Sequence, residues 1–342
     1  MKEHVISSYE KEDIDRMDRG NKMISAENGT VPSAPRIFCE VRKKKAEQLP
    51  ENHSLTGIRW KAAEPDRMRV NEKNGVVWLT GPFLTEMGEF IHGFSTRIGG
   101  VSEGDLASMN LSFSRGDSPE SVRENFARIS GAIGFEPSQM VFSCQTHTAN
   151  VRIVTRQDCG NGFERKQAFK DVDGMITDEP GVILTTFYAD CVPLFFVDPV
   201  HRAAGLSHSG WRGTAARIGA VTAERMKEAF GTRPEDLRVA IGPSICADCY
   251  EVSGDVIRAF DEIFSPEERK HIYRQGGGPD KYQLDLWQAN RLILQQAGIP
   301  EENIHLPGIC TCCNPDLLFS HRATGGRRGN LAGFLGVTQG TC

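Results

Sequence analysis

The densest apolar stretch of this chain, Val182–Val197, is divided by Asp190 and Pro193 into two runs of strand length. No apolar run approaches the length of about 18 residues that a membrane-spanning helix requires, so no membrane span is predicted. The two runs cover 181–187 and 193–197. Further strand-like runs cover 140–142, 151–154, 203–207 and 237–241.

Helical patterns separate these runs at irregular intervals. A Ser118-Pro-Glu sequence is typical of a helix start, and other helical patterns cover 214–230, 252–264, 266–273 and 286–297. Asn74-Gly75 between strand-like flanks predicts a hairpin. Because several strands directly follow other strands, we predict an α+β (mixed α/β) fold rather than a doubly wound parallel sheet. The expected architecture is a single large domain with mixed β-sheets flanked by helices.

The N-terminal part of the chain has a different composition. About one residue in three is charged in residues 1–65, against about one in five in the remainder. Its first 35 residues show no sustained helical or strand period, and charged segments of this kind do not bury enough apolar surface to fold. The sequence therefore predicts a disordered extension over 1–65 and a folded domain over 66–342.

Charge and terminal sequence limit the classes of partner. The net charge is −5 and the sequence pI is about 6.0, which argues against a dedicated nucleic-acid-binding protein. The first twenty residues lack the apolar core of a secretory signal, so we expect a cytoplasmic protein. We therefore expect neither nucleic acid nor a membrane as a partner. The sequence leaves monomer and homodimer open.

The chain has ten cysteines, which we expect to be thiols, metal ligands or nucleophiles in a reducing compartment. Two groups stand out, Cys246-Ala-Asp-Cys249 and Cys310-Thr-Cys312-Cys313. A structural zinc site built from both groups is one interpretation. Burial as small hydrophobic residues is favoured, because about sixty residues separate the groups, more than in zinc ribbons, and neither has a typical knuckle.

Three other segments each place one metal-ligating residue type next to a strand-like run. These residues are His147 in Gln-Thr-His, Cys191 in Ala-Asp-Cys and His208 in Leu-Ser-His. If they meet, two imidazoles and one thiolate form a three-ligand zinc site with an open position, the ligand count of catalytic zinc. Such an ion lowers the pKa of a bound water to about 7. From the residues alone, ordinary packing and a nucleophilic Cys191–His pair remain open as well.

Several motifs occur together in a fixed order between about residues 70 and 337. They are Gly93-Phe-Ser-Thr-Arg97-Ile-Gly-Gly-Val-Ser, Gln145-Thr-His147, Asp173-Gly-Met, Ala189-Asp-Cys191-Val-Pro-Leu, His208-Ser-Gly-Trp-Arg212-Gly-Thr, Ile241-Gly-Pro-Ser244 and Phe319-Ser-His321-Arg322. With these motifs the chain resembles the YfiH-type laccase-domain family, also called the multicopper polyphenol oxidase or peptidoglycan editing factor family. Ser244 departs from the family pattern, which often has cysteine there, so no essential thiol is expected at that position.

The resemblance implies a zinc-dependent purine nucleoside phosphorylase acting on adenosine, inosine and methylthioadenosine, with adenosine deaminase activity. The implied partners are a nucleoside and phosphate. The family's zinc ligands correspond to His147, Cys191 and His208. Copper is a less favoured alternative metal.

Other roles are predictions from chemistry. Cys191 and Asp190 are the candidate catalytic residues, with Asp190 either moving a proton or orienting a metal-binding histidine. Arg97, beside the Gly99-Gly100 turn, and Arg212 are candidates for binding phosphate. The alternative role of Arg97 is to stabilise the turn, and that of Arg212 is to form an ion pair.

Three competing functions remain at this point. Copper-dependent phenol oxidation is disfavoured, because the chain has nine histidines and no His-x-His pair. An amide hydrolase editing a cell-wall (muramyl-peptide) precursor fits the same Cys/His set. A non-catalytic binding module would keep zinc for structure alone.

Overall fold

The computed structural model describes residues 57–63 and 66–339. The predicted N-terminal extension therefore lies outside the described residues, apart from residues 57–63, where Trp60 forms an antiparallel bridge with Ile309. The described residues contain no helix long and apolar enough to cross a membrane.

The strands of the described residues are β1 (Arg69–Lys73), β2 (Val76–Thr80), β3 (Phe90–Ser95), β4 (Met140–Phe142), β5 (Val151–Ile153), β6 (Gly174–Thr177), β7 (Ile183–Tyr188), β8 (Val192–Asp198), β9 (Ala203–Ser209), β10 (Arg238–Ile241), β11 (Glu251–Ser253), β12 (Tyr273–Gln275), β13 (Lys281–Leu284), β14 (Ile304–His305) and β15 (Leu331–Val337). The helices are α1 (Pro82–Met87), α2 (Pro119–Ile133), α3 (Trp211–Ala215), α4 (Ile218–Phe230), α5 (Gly254–Asp261), α6 (Pro266–Ile272), α7 (Leu286–Gln296) and α8 (His321–Thr324).

The strands form two six-stranded sheets and one small sheet. The first sheet has the order β1-β2-β3-β15-β7-β4, and the second has the order β14-β10-β8-β9-β6-β5. Strands β11, β13 and β12 form the third. The pairs β4–β7, β5–β6 and β10–β14 are parallel and the other pairs are antiparallel. The predicted mixed α/β class is confirmed.

Alternating side chains pack the two large sheets against each other. In the first sheet Leu184 and Leu335 point into the same buried cluster as Phe195 and Leu206 of the second. Successive strand residues face opposite sides of a sheet, so the neighbours of these residues point outward. Helix α2 covers the outer face of the first sheet, and helices α4 and α7 cover that of the second.

Local predictions agree with the structure where backbone patterns are regular. Asn74 and Gly75 both have positive φ, 54° and 77°, and connect β1 to β2 as the predicted hairpin. The helix predicted over 214–230 is wrong in one respect, because it breaks into α3 and α4 around Arg217, whose φ is 59°. The start predicted at Val252 is also wrong, because that residue pairs with Tyr282 in the small sheet. In both places a tertiary contact or turn overrides a continuous helical period.

Candidate metal centre

The chain passes from the first large sheet to the second at two neighbouring places. One connection follows β4 and leads into β5, and it contains His147. The other joins β7 to β8 through Ala189, Asp190 and Cys191. Because β4 and β7 are neighbours in the first sheet, both connections leave from the same edge region.

Strand pairing brings the third residue to the same place. His208 lies near the end of β9, opposite Pro193 of β8 in the antiparallel register. Cys191 directly precedes β8, two residues before that partner. The three residues are therefore close because of sheet topology, although they are far apart along the chain.

The ligand atoms of His147, Cys191 and His208 lie within 4.8 Å of one another. The two imidazole rings have centroids 5.0 Å apart and planes inclined by 76°. Both imidazoles lie close enough to the Cys191 sulfur to lower the pKa of this thiol. His208 is buried and His147 is exposed, so the cluster opens to solvent on the His147 side.

Asp173 holds two of these residues in position. Its Oδ1 accepts from His208 Nδ1 at 2.9 Å and from the His147 amide at 3.0 Å. Its Oδ2 accepts from the amides of Thr146 and Thr148 at 3.0 and 2.9 Å, and from the Thr148 hydroxyl. With Nδ1 bound to a carboxylate, His208 presents Nε2 to the centre, the arrangement that orients metal-binding histidines.

The charges of these groups support one another. Burial by itself would raise the pKa of Cys191, but the positive charge of His208 and hydrogen bonds from both histidines lower it to about 6. Burial would likewise lower the pKa of His208, which Cys191 and Asp173 together raise to about 10. The pKa of Asp173 is about 2, because its hydrogen bonds from His208 and the backbone outweigh burial. At neutral pH the centre thus holds a thiolate and a carboxylate.

Gly210 is required by close packing beside the ligands. A Cβ at this position would lie 2.9 Å from His147 Cδ2 and 3.1 Å from Cys191 Sγ. The backbone is also strained here, since His147 and Asp190 have φ values of 64° and 92°, which side-chain-bearing residues rarely adopt. Strain of this kind concentrates at functional sites.

The donor set fits zinc. Two imidazole nitrogens and a thiolate are ligands that Zn²⁺ prefers, and three protein ligands leave one position for a reactant. The remaining ring nitrogen of His208 is already bound to Asp173, as the second coordination sphere of a metal requires.

Within the described part of the chain, the hydrogen bonds of the Asp190 carboxylate go to partners other than His147 and His208. Its Oδ1 accepts from Thr311 Oγ1 at 2.6 Å, and its Oδ2 accepts from the Arg322 amide at 2.7 Å. The carboxylate that orients a ligand histidine is that of Asp173. Asp190 instead connects the Cys191 turn to the 311 loop and to the start of α8.

Arg97 differs from its predicted role. Its Nε and Nη2 donate to the Ala107 carbonyl at 2.8 and 2.6 Å, and its Nη1 donates to the Pro315 carbonyl at 2.9 Å. The guanidinium also lies 4.7 Å from the Phe319 ring centroid. All three nitrogens therefore bind loop carbonyls and stabilise the turn, and we do not retain Arg97 as a phosphate-binding residue.

Arg212 lies two residues beyond Gly210, in the first turn of α3. Its side chain is exposed and its guanidinium lies over the Trp211 ring, 4.4 Å from the centroid. The pKa of the half-buried Tyr250 is raised, first by desolvation and then by the charge of Cys191, whereas Arg322 and Arg212 act in the opposite direction. The charges of Arg212 and Cys191 therefore both act on the Tyr250 hydroxyl.

Sequence reasoning assigned no role to Asp173, Arg322 or Tyr250. Asp173 and Arg322 belong to motifs quoted above, and an acidic residue near metal-ligand candidates is the signal that could have indicated Asp173. Arg322 donates to the carbonyls of Cys249 and Glu251, and its guanidinium lies 5.4 Å from the Tyr250 ring centroid. No sequence pattern indicates these long-range contacts.

The fold and the site together define a mixed α/β protein with a two-histidine, one-cysteine metal-binding geometry. The chain belongs to the family described as multi-copper polyphenol oxidoreductase laccase, whose profile matches residues 91–338. The resemblance found from the motifs is confirmed.

Relatives of the chain are named as nucleoside enzymes. Purine nucleoside phosphorylase YlmD of Bacillus subtilis (strain 168) is 37% identical over 252 residues, which cover 73% of this chain and 90% of that protein. Purine nucleoside phosphorylase LACC1 of Mus musculus is 31% identical over 274 residues, covering 78% and 60%. The crystal structure of YlmD from Geobacillus stearothermophilus superposes with a TM-score of 0.73 and 36% identity, covering 80% of this chain and 100% of that one.

Proposed function

We propose that this chain is a zinc-dependent purine nucleoside phosphorylase, cleaving adenosine, inosine and methylthioadenosine. The observation that carries the proposal is the convergence of His147, Cys191 and His208, with ligand atoms within 4.8 Å of one another. The names of the relatives support the substrate class. The chain belongs to a family of enzymes, and its three candidate ligands leave one coordination position for a reactant. Both points favour a catalytic role over that of a binding module with purely structural zinc.

His147, Cys191 and His208 would hold the zinc ion, and Asp173 would fix the orientation of His208. The ion when bound supplies a Lewis acid and lowers the pKa of coordinated water. The deep burial of His208 and Asp173 keeps these supporting hydrogen bonds away from water.

In phosphorolysis a phosphate oxygen forms a bond to ribose C1′ while the bond from C1′ to the purine nitrogen breaks. The purine leaves with that electron pair and takes up one proton, and ribose 1-phosphate remains. The reaction therefore needs cationic groups that hold phosphate. Arg212, close to the ligands in α3, is our candidate.

Apart from Arg212, several cationic side chains lie in the region of Asp190 and His321. The pKa of His321 is lowered by burial first and then by the positive charges of Arg328, Arg115 and Arg322. Asp190 acts on His321 in the opposite direction, so these groups share one region. This concentration of positive charge favours an anionic substrate.

The proposal includes adenosine deamination at the same centre. Water replaces the amino group at C6 of the purine, and one ammonia leaves for each adenosine converted to inosine. Of the predicted catalytic residues, Cys191 is retained as a candidate through the ion it would hold, and Asp190 is retained as a positioning residue. The hydrogen bonds to both Asp190 oxygens indicate that it positions the Cys191 turn rather than moving a proton itself.

The test is a phosphate-dependence assay on the purified full chain with inosine. We expect hypoxanthine and ribose 1-phosphate in equal amounts, formed only when phosphate is present. Cys191→Ala should lose this turnover and the associated zinc together, whereas Cys159→Ala, a half-buried thiol elsewhere, should keep both. Free ribose as the product, or no turnover by zinc-loaded protein, would contradict the proposal.

Parallel assays with adenosine, a muramyl amide and a phenol separate the alternatives. Inosine formed from adenosine without phosphate would support the deaminase activity. Amide cleavage or phenol oxidation by protein of measured metal content, without nucleoside turnover, would favour the competing functions. Among the described residues, one metal-binding group contains histidine, which weakens the multicopper alternative.

A further inference from the structure

A second group of metal-ligand residues lies outside the centre described above. It consists of Cys246, Cys249, Cys310 and Cys313, whose sulfur atoms all lie within 4.8 Å of one another. They form two Cys-x-x-Cys pairs, one after β10 and one before α8. We propose that this tetracysteine group is a structural zinc site, independent of the proposed nucleoside reaction.

The backbone holds the two pairs face to face. Ser244 and Cys310 form a parallel bridge, and the Thr311 amide donates to the Ser244 carbonyl at 3.1 Å. The two loops therefore run side by side directly before their cysteines. The gap of about sixty residues, which sequence reasoning took as an argument against a site, is closed by this pairing.

The sulfur distances fit a single tetrahedral ion. Cys249 Sγ and Cys313 Sγ are 3.5 Å apart, and Cys246 Sγ and Cys313 Sγ are 4.0 Å apart. Four sulfurs at about 2.3 Å from one zinc ion are separated by roughly 3.8 Å. A disulfide would require about 2.05 Å, so neither of these pairs is bonded.

Backbone donors point at one of the sulfurs. The amides of Cys246 and Cys313 donate to Cys310 Sγ at 3.2 and 3.4 Å. Hydrogen bonds from amides favour the thiolate, which is the form that binds metal. The bond from the Cys313 amide to Cys310 Sγ joins the last cysteine of this pair to the first. It forms a turn of the zinc-knuckle type, which was not apparent in the sequence.

The alternative interpretation was burial as small hydrophobic residues. Cys246 and Cys310 are indeed buried, but Cys249 and Cys313 are only half-buried and their sulfurs still face the group. Apolar packing alone does not account for four sulfurs that converge on one point together with two amide donors. Four thiolates with no position left for a reactant are typical of structural rather than catalytic zinc.

The site connects to the candidate metal centre through one residue. Thr311, within the second pair, donates its hydroxyl to Asp190 Oδ1 at 2.6 Å, and Asp190 directly precedes Cys191. An ion in the tetracysteine group would therefore fix the loop that supports the Cys191 turn. Its role is positioning, and it touches no substrate.

Metal analysis of the full chain tests the proposal. We expect two zinc ions per chain, and one in the Cys249→Ser/Cys313→Ser double variant. Cys312→Ser is the matched control, because Cys312 lies in the same loop but outside the four-sulfur group, and it should keep two. Cys191→Ala should lose only the other ion, which separates this proposal from the proposed function.

Cobalt replacement gives a second measurement that does not depend on folding of the double variant. The Cys191→Ala protein loaded with Co²⁺ should show the intense, long-wavelength d–d absorption of a tetrathiolate site. A single zinc ion in the unaltered chain that is lost from Cys191→Ala, two ions retained by the double variant, or iron in place of zinc would overturn the proposal. So would a disulfide between Cys249 and Cys313 in the full chain purified with reductant and zinc present, or loss of the second ion from Cys312→Ser.

Discussion

At the scale of single residues, Asp173 has the most consequential set of contacts in the candidate metal centre. One carboxylate oxygen binds the His208 ring and the His147 amide, so a single side chain fixes the position of two proposed ligands. The other oxygen fixes the backbone on either side of His147 through Thr146 and Thr148. The ligand geometry therefore depends on a residue that would not itself bind the ion.

We predict that Asp173→Asn lowers zinc affinity of this centre by about 10- to 100-fold, the usual effect of losing such a supporting carboxylate. Competition with a chromophoric chelator measures the affinity, and circular dichroism checks the fold. The control is Asp171→Asn, an exposed carboxylate two residues away, which should bind zinc as the unaltered chain does. Equal affinity in both variants would show that Asp173 does not support the centre.

His92 gives the molecule a second residue-scale property, acid sensitivity. It is buried in β3, its Nε2 has no hydrogen-bond partner among the described residues, and burial lowers its pKa from 6.5 to about 4. As pH falls below about 6.5, the His92 imidazole binds a proton in the unfolded chain but stays neutral in the folded chain. Stability is thus complete above that pH and falls by about 3 kcal/mol by pH 4.

The His92→Phe variant should lose this part of the acid sensitivity while keeping a ring in the core. Urea unfolding at several pH values between 7 and 4 measures the slope. His271→Phe, at an exposed position of α6, should leave the slope unchanged. A slope that is identical in all three proteins would refute the role of His92.

At the scale of elements, the junction between β9 and α3 determines how closely the ligands pack. Gly210 lies between these elements, and its missing side chain leaves room for His147 and Cys191. Strands β8 and β9 are both predictable from their apolar runs, and their register places His208 near Cys191. The break between α3 and α4 was not predictable, because Arg217 adopts a left-handed conformation that its helical period does not indicate.

We predict that Gly210→Ala reduces zinc content and nucleoside turnover together by displacing the ligands, with the fold retained. Zinc analysis of the purified variant measures the first effect. Gly131→Ala in α2 is the control, because a Cβ there meets no atom within 4 Å. That control should keep its zinc and gain up to about 1 kcal/mol in stability, since alanine is the better helix former. Full zinc occupancy in Gly210→Ala would contradict the packing argument.

At the scale of the whole molecule, residues that are distant in sequence come together where the chain passes from one large sheet to the other. The fold class and the three ligand candidates could be predicted, because strand patterns are local and the motifs occur in a fixed order. Strand β15 was not predicted, although it pairs with both β3 and β7 at the centre of the first sheet. Nor was the role of Asp173, whose hydrogen bonds depend on the pairing of β6 with β9. Such long-range pairings have no signal in a single sequence.

The same reasoning applies to the cysteines and to Arg97. Cys246 and Cys310 are brought together by a bridge between loops, and that bridge has no periodic signal. Arg97 was a reasonable anion ligand beside a glycine turn, but the carbonyls of Ala107 and Pro315 occupy its guanidinium. Residue types therefore indicated which chemistry was available, whereas tertiary pairing determined where it was used.

The most direct measurement is anomalous diffraction from crystals of the full chain, recorded on both sides of the zinc absorption edge. A peak bonded to His147, Cys191 and His208, and absent below the edge, is the predicted result. Density at that position without an anomalous peak, or ligand atoms that turn away from one another in the metal-loaded crystal, would contradict the zinc centre and the function proposed for it.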